Sequence, residues 1–291
     1  MQALQNTPHF LWQPASWLRV TGEDALTFLQ GQLTNDLRNL MADQAVYGLW
    51  LNQKGKVMAD SFVLRLGENE FWVGSYTSPA AVIRERLEAY IIADDVTLQD
   101  ETDDWGGITF FSKTPGDELV ALLPGGLMFR GRRAAEAHWE WVAPRADWLA
   151  LQAQLDHSVA ISATAMEQRR IAAAIPAVPT DIGPGELPNE GGLDQSAVSY
   201  TKGCYLGQEV MARLKAMGQV RRQLLRVHGK VTLPKLPAAL FAGGRQVGEL
   251  RSAVASDDGF IGLALLTLMH LPADDGLALH AEGPALITIQ R

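Results

Sequence analysis

Lys202-Gly-Cys-Tyr-Leu-Gly-Gln-Glu209 sets the single cysteine of this 291-residue chain between glycines, directly ahead of an amphipathic run. Val210, Leu214 and Met217 recur at i, i+4 and i+7, Lys215 stands near the end, and Gly218 supplies a stop, which together predict a helix. A thiol just before a helix N-terminus, two residues from Lys202, is in a setting that favours thiolate over thiol. Glycines at 203 and 207 would let backbone amides approach a ligand closely. The alternative for Cys204 is a small buried hydrophobe, because no histidine or second cysteine is adjacent.

Upstream of this segment, Thr164-Ala-Met-Glu167 reads as a capping box opening a helix that ends near Ile175, before Pro176. From Val178 to Gly192 prolines and glycines accumulate, so the stretch is expected as an ordered functional loop or a linker. Nearer the start, Trp17 to Val20 reads as a strand. Thr21-Gly-Glu-Asp24 then resembles a capping box before a helix with Leu26, Leu29 and Leu33 on one face. Val46–Leu51 and Val57–Leu66 look like paired strands across the polar turn Asn52-Gln-Lys-Gly55, with a third strand around Phe71-Trp-Val73. Pro79 to Tyr90 reads as a helix with proline in its first turn. In the middle, Ile108–Phe111 and Trp139–Val142 are expected strands, and Glu118–Leu123 and Asp147–Leu155 short helices. Downstream, Leu224–Val227, Val247–Leu250 and Phe260–Leu265 are short strands separated by turn signals, which suggests a small barrel or sandwich beginning near residue 220.

Bulk composition bounds the function. Hydrophobic residues make up 47% and charged residues 20%, an ordinary globular balance. The formal net charge of −8 argues against a general nucleic-acid scaffold, whose affinity comes from clustered Lys and Arg. One cysteine permits no internal disulfide and no Cys-rich metal site. Met1 to Pro14 has neither a basic start nor an apolar run, and Phe260–Leu271 is too short and interrupted to span a bilayer, so no membrane association and a cytoplasmic setting are the expectation.

Lys-Gly-Cys-Tyr-x-Gly-Gln-Glu resembles, nearly letter for letter, the signature of the YgfZ-type branch of the glycine-cleavage T-protein superfamily. Further blocks match in the family's order: Phe28-Leu-Gln-Gly-Gln-Leu-Thr-Asn-Asp36, Lys54-Gly-Lys-Val-Met-Ala-Asp60, Arg170-Ile171 through Ile175-Pro176, Pro188-Asn-Glu190 with Leu193-Asp194, and Gly244 through Val247-Gly248 to Ser252. The resemblance implies an α+β, multi-domain ring with mixed or antiparallel sheets and a C-terminal small β-barrel. It divides the chain into an N-terminal folate-binding region (1–100), a central region carrying the Cys204 motif (101–219), with the two free to interleave, and the barrel (220–291). It further implies tetrahydrofolate or a derivative as ligand, and a role with iron–sulfur proteins as clients, including a tRNA-thiolating enzyme.

Folate offers a pterin edge that suits a carboxylate and an acidic tail that suits Lys or Arg. Glu190, in the Pro/Gly-rich loop, is the first candidate for the pterin edge; a solvated loop acid is its plainer reading. Asp60 matches the region of the essential aspartate in true aminomethyltransferases, and a strand-edge or turn carboxylate is the equal alternative. Cys204 and Asp60 are thus the catalytic candidates. Glu190, Lys202, Asn35, Arg213 and Tyr205 are the candidate cofactor contacts. Asn35 and Asp36 read equally as a turn after the first helix, Arg213, Arg221 and Arg222 as a solvated face, and Gln208 and Glu209 as local caps. Lys202 is open between tuning Cys204 and binding an anion. One departure stands out: transferases of the superfamily carry Arg-x-Glu before the proline, where this chain has Arg170-Ile-Ala172. Glu190 or another acid would have to compensate. Met166 stands roughly where some YgfZ-type proteins place an aromatic residue, and can itself pack on a pterin face.

Three functional classes follow. The first is a folate protein supporting iron–sulfur cluster maintenance with Cys204 as functional thiol. The second is a tetrahydrofolate-dependent aminomethyl or methyl transferase using Asp60, and the third a non-catalytic interaction module. A single cysteine cannot by itself hold a cluster that takes four thiolates.

Overall fold

The computed structural model describes residues 6–41, 44–113, 125–218 and 220–290. The first half contributes β1 (His9–Trp12), β2 (Ser16–Thr21), β3 (Ala45–Leu51), β4 (Val57–Arg65), β5 (Glu70–Ser75), β6 (Thr97–Asp100), β7 (Trp105–Phe110), β8 (Leu127–Arg130) and β9 (Trp139–Pro144). The C-terminal part contributes β10 (Arg222–Gly229), β11 (Ala238–Ala242), β12 (Arg245–Ser256), β13 (Gly259–Thr267), β14 (Gly276–Leu277) and β15 (Ile287–Gln290). The α-helices are α1 (Ala25–Gln32), α2 (Ala80–Glu88), α3 (Arg145–Gln152), α4 (Ala163–Ala172) and α5 (Gln208–Met217). The expected Glu118–Leu123 helix lies outside the described residues.

These strands form three antiparallel sheets, ordered β3-β4-β5-β2-β6, β1-β7-β9-β8 and β11-β12-β13-β10-β15-β14. The first two pack face to face through an aromatic layer of Trp12, Trp17, Phe62, Trp72 and Phe129. The first sheet's outer face is covered by α1 and α2 (Phe28, Leu29, Ile83, Leu87), and the second's by α3 through Trp148 and Leu151. A strand covered on both faces loses the alternation of a half-exposed one, which is why β4 reads as a nearly continuous buried run. Because β1 pairs with β7, residues of the 1–100 and 101–219 regions interleave in one sheet.

The third sheet is nearly closed: its end strands β11 and β14 approach through a bridge between Phe241 and Ala278. Its interior is apolar, with Val227, Leu240, Leu250, Phe260, Leu266 and Ile289. The Pro/Gly-rich loop is part of the core rather than a tether. Val178, Ile182 and Leu193 pack with Leu49 and Val57 of the first sheet and with Leu263 and Leu265 of the third.

Two expected caps differ in detail. Thr21 ends β2, and Asp24 occupies the N-cap position of α1, but its carboxylate accepts instead from the Asp95 amide at 2.8 Å. A partner distant in sequence has displaced the local cap. Before α4 the capping hydroxyl is Ser162, accepting from the Ala165 amide at 3.1 Å, and the helix ends at Ala172.

Candidate functional site

Asp60 lies in the middle of β4 and is only 5% exposed. A carboxylate buried this far requires hydrogen-bond donors, and the fold brings three hydroxyls to it. Tyr47 on β3 sits one diagonal step across the ladder, since Leu49 pairs with Asp60 and Tyr47 with Phe62. Its Oη donates to Asp60 Oδ2 at 2.8 Å. Ser75, at the end of β5, donates to Asp60 Oδ1 at 2.6 Å, and Ser78 Oγ stands 2.6 Å from the same oxygen while accepting the Asp60 amide at 3.0 Å. Burial, then the Asp60 charge, pushes the Tyr47 phenol well above its ordinary range, so the phenol keeps the proton it donates.

Asp60 and Tyr47 form one wall of a cavity of about 230 Å³. The first and third sheets and the connection after β8 of the second contribute to its lining. Tyr76 and Thr77 follow β5, Arg132 and Arg133 follow β8, and Ser252 belongs to β12. Met166, Glu167 and Arg170 come from α4, and Ile175 to Ala177 with Thr180 from the segment after it.

The three arginines differ in their partners. Arg170 donates to Asp181 at 2.6 Å, to Glu167 at 2.8 Å and to the Ile175 carbonyl at 2.6 Å. Arg133 stacks 3.6 Å from the Tyr76 ring centroid and lies 3.3 Å from fully buried Glu140, which also accepts from Tyr76 at 2.8 Å and Thr109 at 2.7 Å. Arg132 stacks 4.3 Å from the Tyr47 ring centroid and donates from Nη2 to Ser196 Oγ at 3.2 Å.

Of the candidates read from sequence, the structure puts Asp60 in this cavity and the others elsewhere. Glu190 is 6% exposed, but it lies against Arg222, with Nε–Oε1 2.9 Å and Nη2–Oε2 3.2 Å, and accepts the Leu187 amide at 2.7 Å. Neighbouring Glu186 contacts Arg222 and Arg251, so the two acids join the loop to the third sheet. Lys202 is 5% exposed and spends its ammonium on the carbonyls of Gln30 (2.6 Å), Leu33 (2.6 Å) and Asn35 (2.8 Å), around the end of α1. All three of its N–H donors are thereby used. Burial pulls its pKa down to about 8, against the opposing pull of Asp36. Asn35 donates to the Tyr47 carbonyl at 2.9 Å and accepts the Asp36 amide at 2.9 Å, a turn-holding role. Tyr205 is buried in the core beside Lys202, its phenol pushed up to about 12 chiefly by burial. Arg213 is on the exposed side of α5.

Cys204 is exposed rather than buried. Its segment is fastened on either side: Lys202 grips the end of α1, the Leu206 amide bonds to the Gly31 carbonyl at 3.2 Å, and Gly207, at φ +87°, packs against the Asn52–Gly55 turn. A Cβ at Gly207 would fall 3.0 Å from the Asn52 carbonyl oxygen, so this glycine serves a backbone-to-backbone approach within the protein rather than to a ligand. Gly203 faces open space. Asp60, Glu190 and Cys204 therefore do not share one hollow: an enclosed site lies around Asp60 and an exposed one around Cys204.

Tyr47, Ser75, Ser78, Tyr76 and Arg132 were not singled out in sequence. Tyr47 had a usable signal, its place one diagonal step from Asp60 in two paired strands. Arg132 had none, because the β8–β9 connection carries no motif. Among the described residues no group of His, Cys, Asp and Glu could hold a metal ion, and no helix is long and apolar enough to cross a membrane.

A family model described as GCVT N-terminal domain matches residues 13–111. The human mitochondrial iron-sulfur cluster assembly factor IBA57 is 29% identical over 304 aligned positions, covering 92% of this chain and 82% of that protein. The tRNA-modifying protein YgfZ of Edwardsiella ictaluri (strain 93-146) is 26% identical over 313 positions, covering 99% and 93%. Among solved structures, the glycine cleavage system aminomethyltransferase T from Bartonella henselae superposes with a TM-score of 0.79 at 17% identity, covering 99% of this chain and 87% of that one. The fold is thus aminomethyltransferase-like, with antiparallel sheets, few helices and a barrel-like third sheet. Within that class the chain is similar along most of its length to YgfZ-type, GcvT-like proteins.

Proposed function

We propose that this protein binds tetrahydrofolate or a derivative in the Asp60 cavity and supports the assembly or maintenance of iron–sulfur clusters, including those of a tRNA-modifying enzyme, in the cytoplasm. The observation that carries the reading is the buried Asp60 carboxylate, held by three hydroxyls at the wall of a cavity where the first and third sheets and the β8–β9 connection meet. The donor set suits a pterin: a carboxylate for ring N–H groups, a methionine and a tyrosine for its faces, and a guanidinium for an oxo group. Whole small-molecule sites run to about 300–1,000 Å³, so a cavity of about 230 Å³ matches the ring end of a folate, with the tail leading outward. The names of the relatives support the cellular side of the reading.

Cys204 serves in this reading as the functional thiol. Its exposure, away from the Asp60 cavity, favours contact with an iron–sulfur client over contact with a bound one-carbon unit. One thiolate acts here as a shared or transient ligand, the partner supplying the rest.

Calorimetric titration tests the first half: the wild-type protein should bind tetrahydrofolate, and Asp60→Asn should weaken binding at least about tenfold. Binding by the variant equal to wild type removes Asp60 from the site. For the second half, Cys204→Ala in cells should lower the activity of cluster-dependent enzymes while the protein stays folded; undiminished activity removes the thiol from the mechanism. The placement of Asp60 also favours a second reading, a tetrahydrofolate-dependent aminomethyl or methyl transferase in which Asp60 positions the attacking folate nitrogen. Folate-dependent release of a one-carbon unit from a glycine-derived or sarcosine-like donor would favour it over the first.

A further inference from the structure

The cavity holds three guanidinium groups, and their charges are not equally matched. Arg170 is paired with Glu167 and Asp181, and Arg133 with Glu140. Arg132 has no carboxylate within ion-pair distance among the described residues, and its Nη1 is buried without a hydrogen-bond partner. Asp60 is the complementary case: its side-chain partners are hydroxyls, and among the described residues no cation lies within ion-pair distance of it. Oδ1 is flanked by two hydroxyls and Oδ2 by one, which leaves a lone-pair site on Oδ2. Tyr47 stands between the two, its ring against the Arg132 guanidinium and its hydroxyl on Asp60.

We infer that Arg132 is a ligand-binding residue of this cavity, donating to an oxo acceptor of a neutral heterocyclic ring whose N–H group faces Asp60. The assignment rests on the folate reading above and deepens it by naming which part of the ligand the arginine reads. One unpaired cation and one unpaired carboxylate in the same enclosure cancel, so the enclosure is selective for a ring presenting both an acceptor and a donor rather than for an anion. The buried N–H that lacks a partner is a standing cost that an incoming oxygen removes. Tyr47 fixes the guanidinium plane by stacking, and Ser196 engages Nη2, so the guanidinium keeps N–H donors, the buried Nη1 among them, for which no protein acceptor is found among the described residues.

The test compares two probes, tetrahydrofolate and a tetrahydropterin lacking the glutamate-bearing tail, against wild type, Arg132→Met and Arg132→Lys, with thermal melting recorded for each. Arg132→Met should weaken both probes by the same factor, about tenfold or more, and Arg132→Lys should recover part of the loss. If Arg132→Met fails to fold, Arg132→Lys decides alone, by weakening both probes alike. Three results overturn the inference. Unchanged affinity in a folded variant removes Arg132 from the site. A loss confined to tetrahydrofolate makes it a contact for the tail carboxylates. No binding of either probe by wild type overturns the folate reading itself and this assignment with it.

Discussion

The Asp60 cavity and the Cys204 segment solve opposite problems. Around Asp60, ionisable side chains are enclosed, and their hydrogen bonds come from residues scattered over β3, β5 and the turn after it. At Cys204 the thiol is in the open, and the enclosed groups are those that anchor its backbone, namely Lys202 on three carbonyls and Gly207 against the Asn52–Gly55 turn. The contrast teaches that most letters of the chain's most recognisable motif hold a loop in place, leaving a short exposed stretch at its centre. In the cavity, residues without any motif do the arranging.

The sharpest way to break this contrast is at the anchor. Lys202→Met leaves the carbonyls of Gln30, Leu33 and Asn35 facing an apolar side chain, and should destabilise the protein by about 3–5 kcal/mol in chemical denaturation. A change under about 1 kcal/mol would mean water replaces the ammonium and the segment is not locked.

On the cavity side the handle is alkaline pH. Burial, followed by the charges of Asp60 and Glu140, raises Tyr47 and Tyr76 well above the ordinary tyrosine range. Unfolded tyrosines ionise near about pH 10. Above that the native state binds more protons than the unfolded one, so the stability these groups contribute is intact below pH 10 and lost as pH climbs, by up to about 1.4 kcal/mol per pH unit for each. Denaturation midpoints measured from pH 9 to 11.5 should therefore fall, whereas a flat profile would place these phenols in contact with solvent.

A smaller effect is expected at the join between loop and barrel. Glu190→Gln weakens the contact with half-exposed Arg222, costing about 1–2 kcal/mol, and leaves tetrahydrofolate affinity unchanged. A selective loss of affinity would return Glu190 to the pterin role read from sequence. Smallest of all, Cys204→Ala should shift stability by less than about 0.5 kcal/mol, as surface replacements do. In the native wild type, an alkylating reagent should reach Cys204 without denaturant; protection would contradict its exposure.

The fold was legible where periodicity or turn chemistry is local. Paired strands at β3 and β4, the α2 helix behind Pro79, the α5 helix after Gly207 and the barrel strands β10, β12 and β13 follow from hydrophobic patterns. The strands that sequence reading passed over include short ones fixed by distant partners: His9–Trp12 by β7, Thr97–Asp100 by β2, Leu127–Arg130 by β9 and Ile287–Gln290 by β10. Four residues carry too little periodicity to speak for themselves. At the site, Asp60 is visible through its motif, while Arg132 is marked only by a charge balance that the folded arrangement creates. Glu190 and Lys202 misled in the same way: a charged residue in a recognisable motif reads as a ligand group until its intramolecular partner, Arg222 or a helix end, is in view.

The pairing of His9–Trp12 with Trp105–Phe110 bears on how the molecule is made. During synthesis the first strand leaves the ribosome long before its neighbour exists, and Phe10 and Trp12 must wait without a sheet to join. Until that neighbour emerges, the nascent chain carries an unclaimed strand edge flanked by aromatic side chains, the kind of surface that chaperones shield.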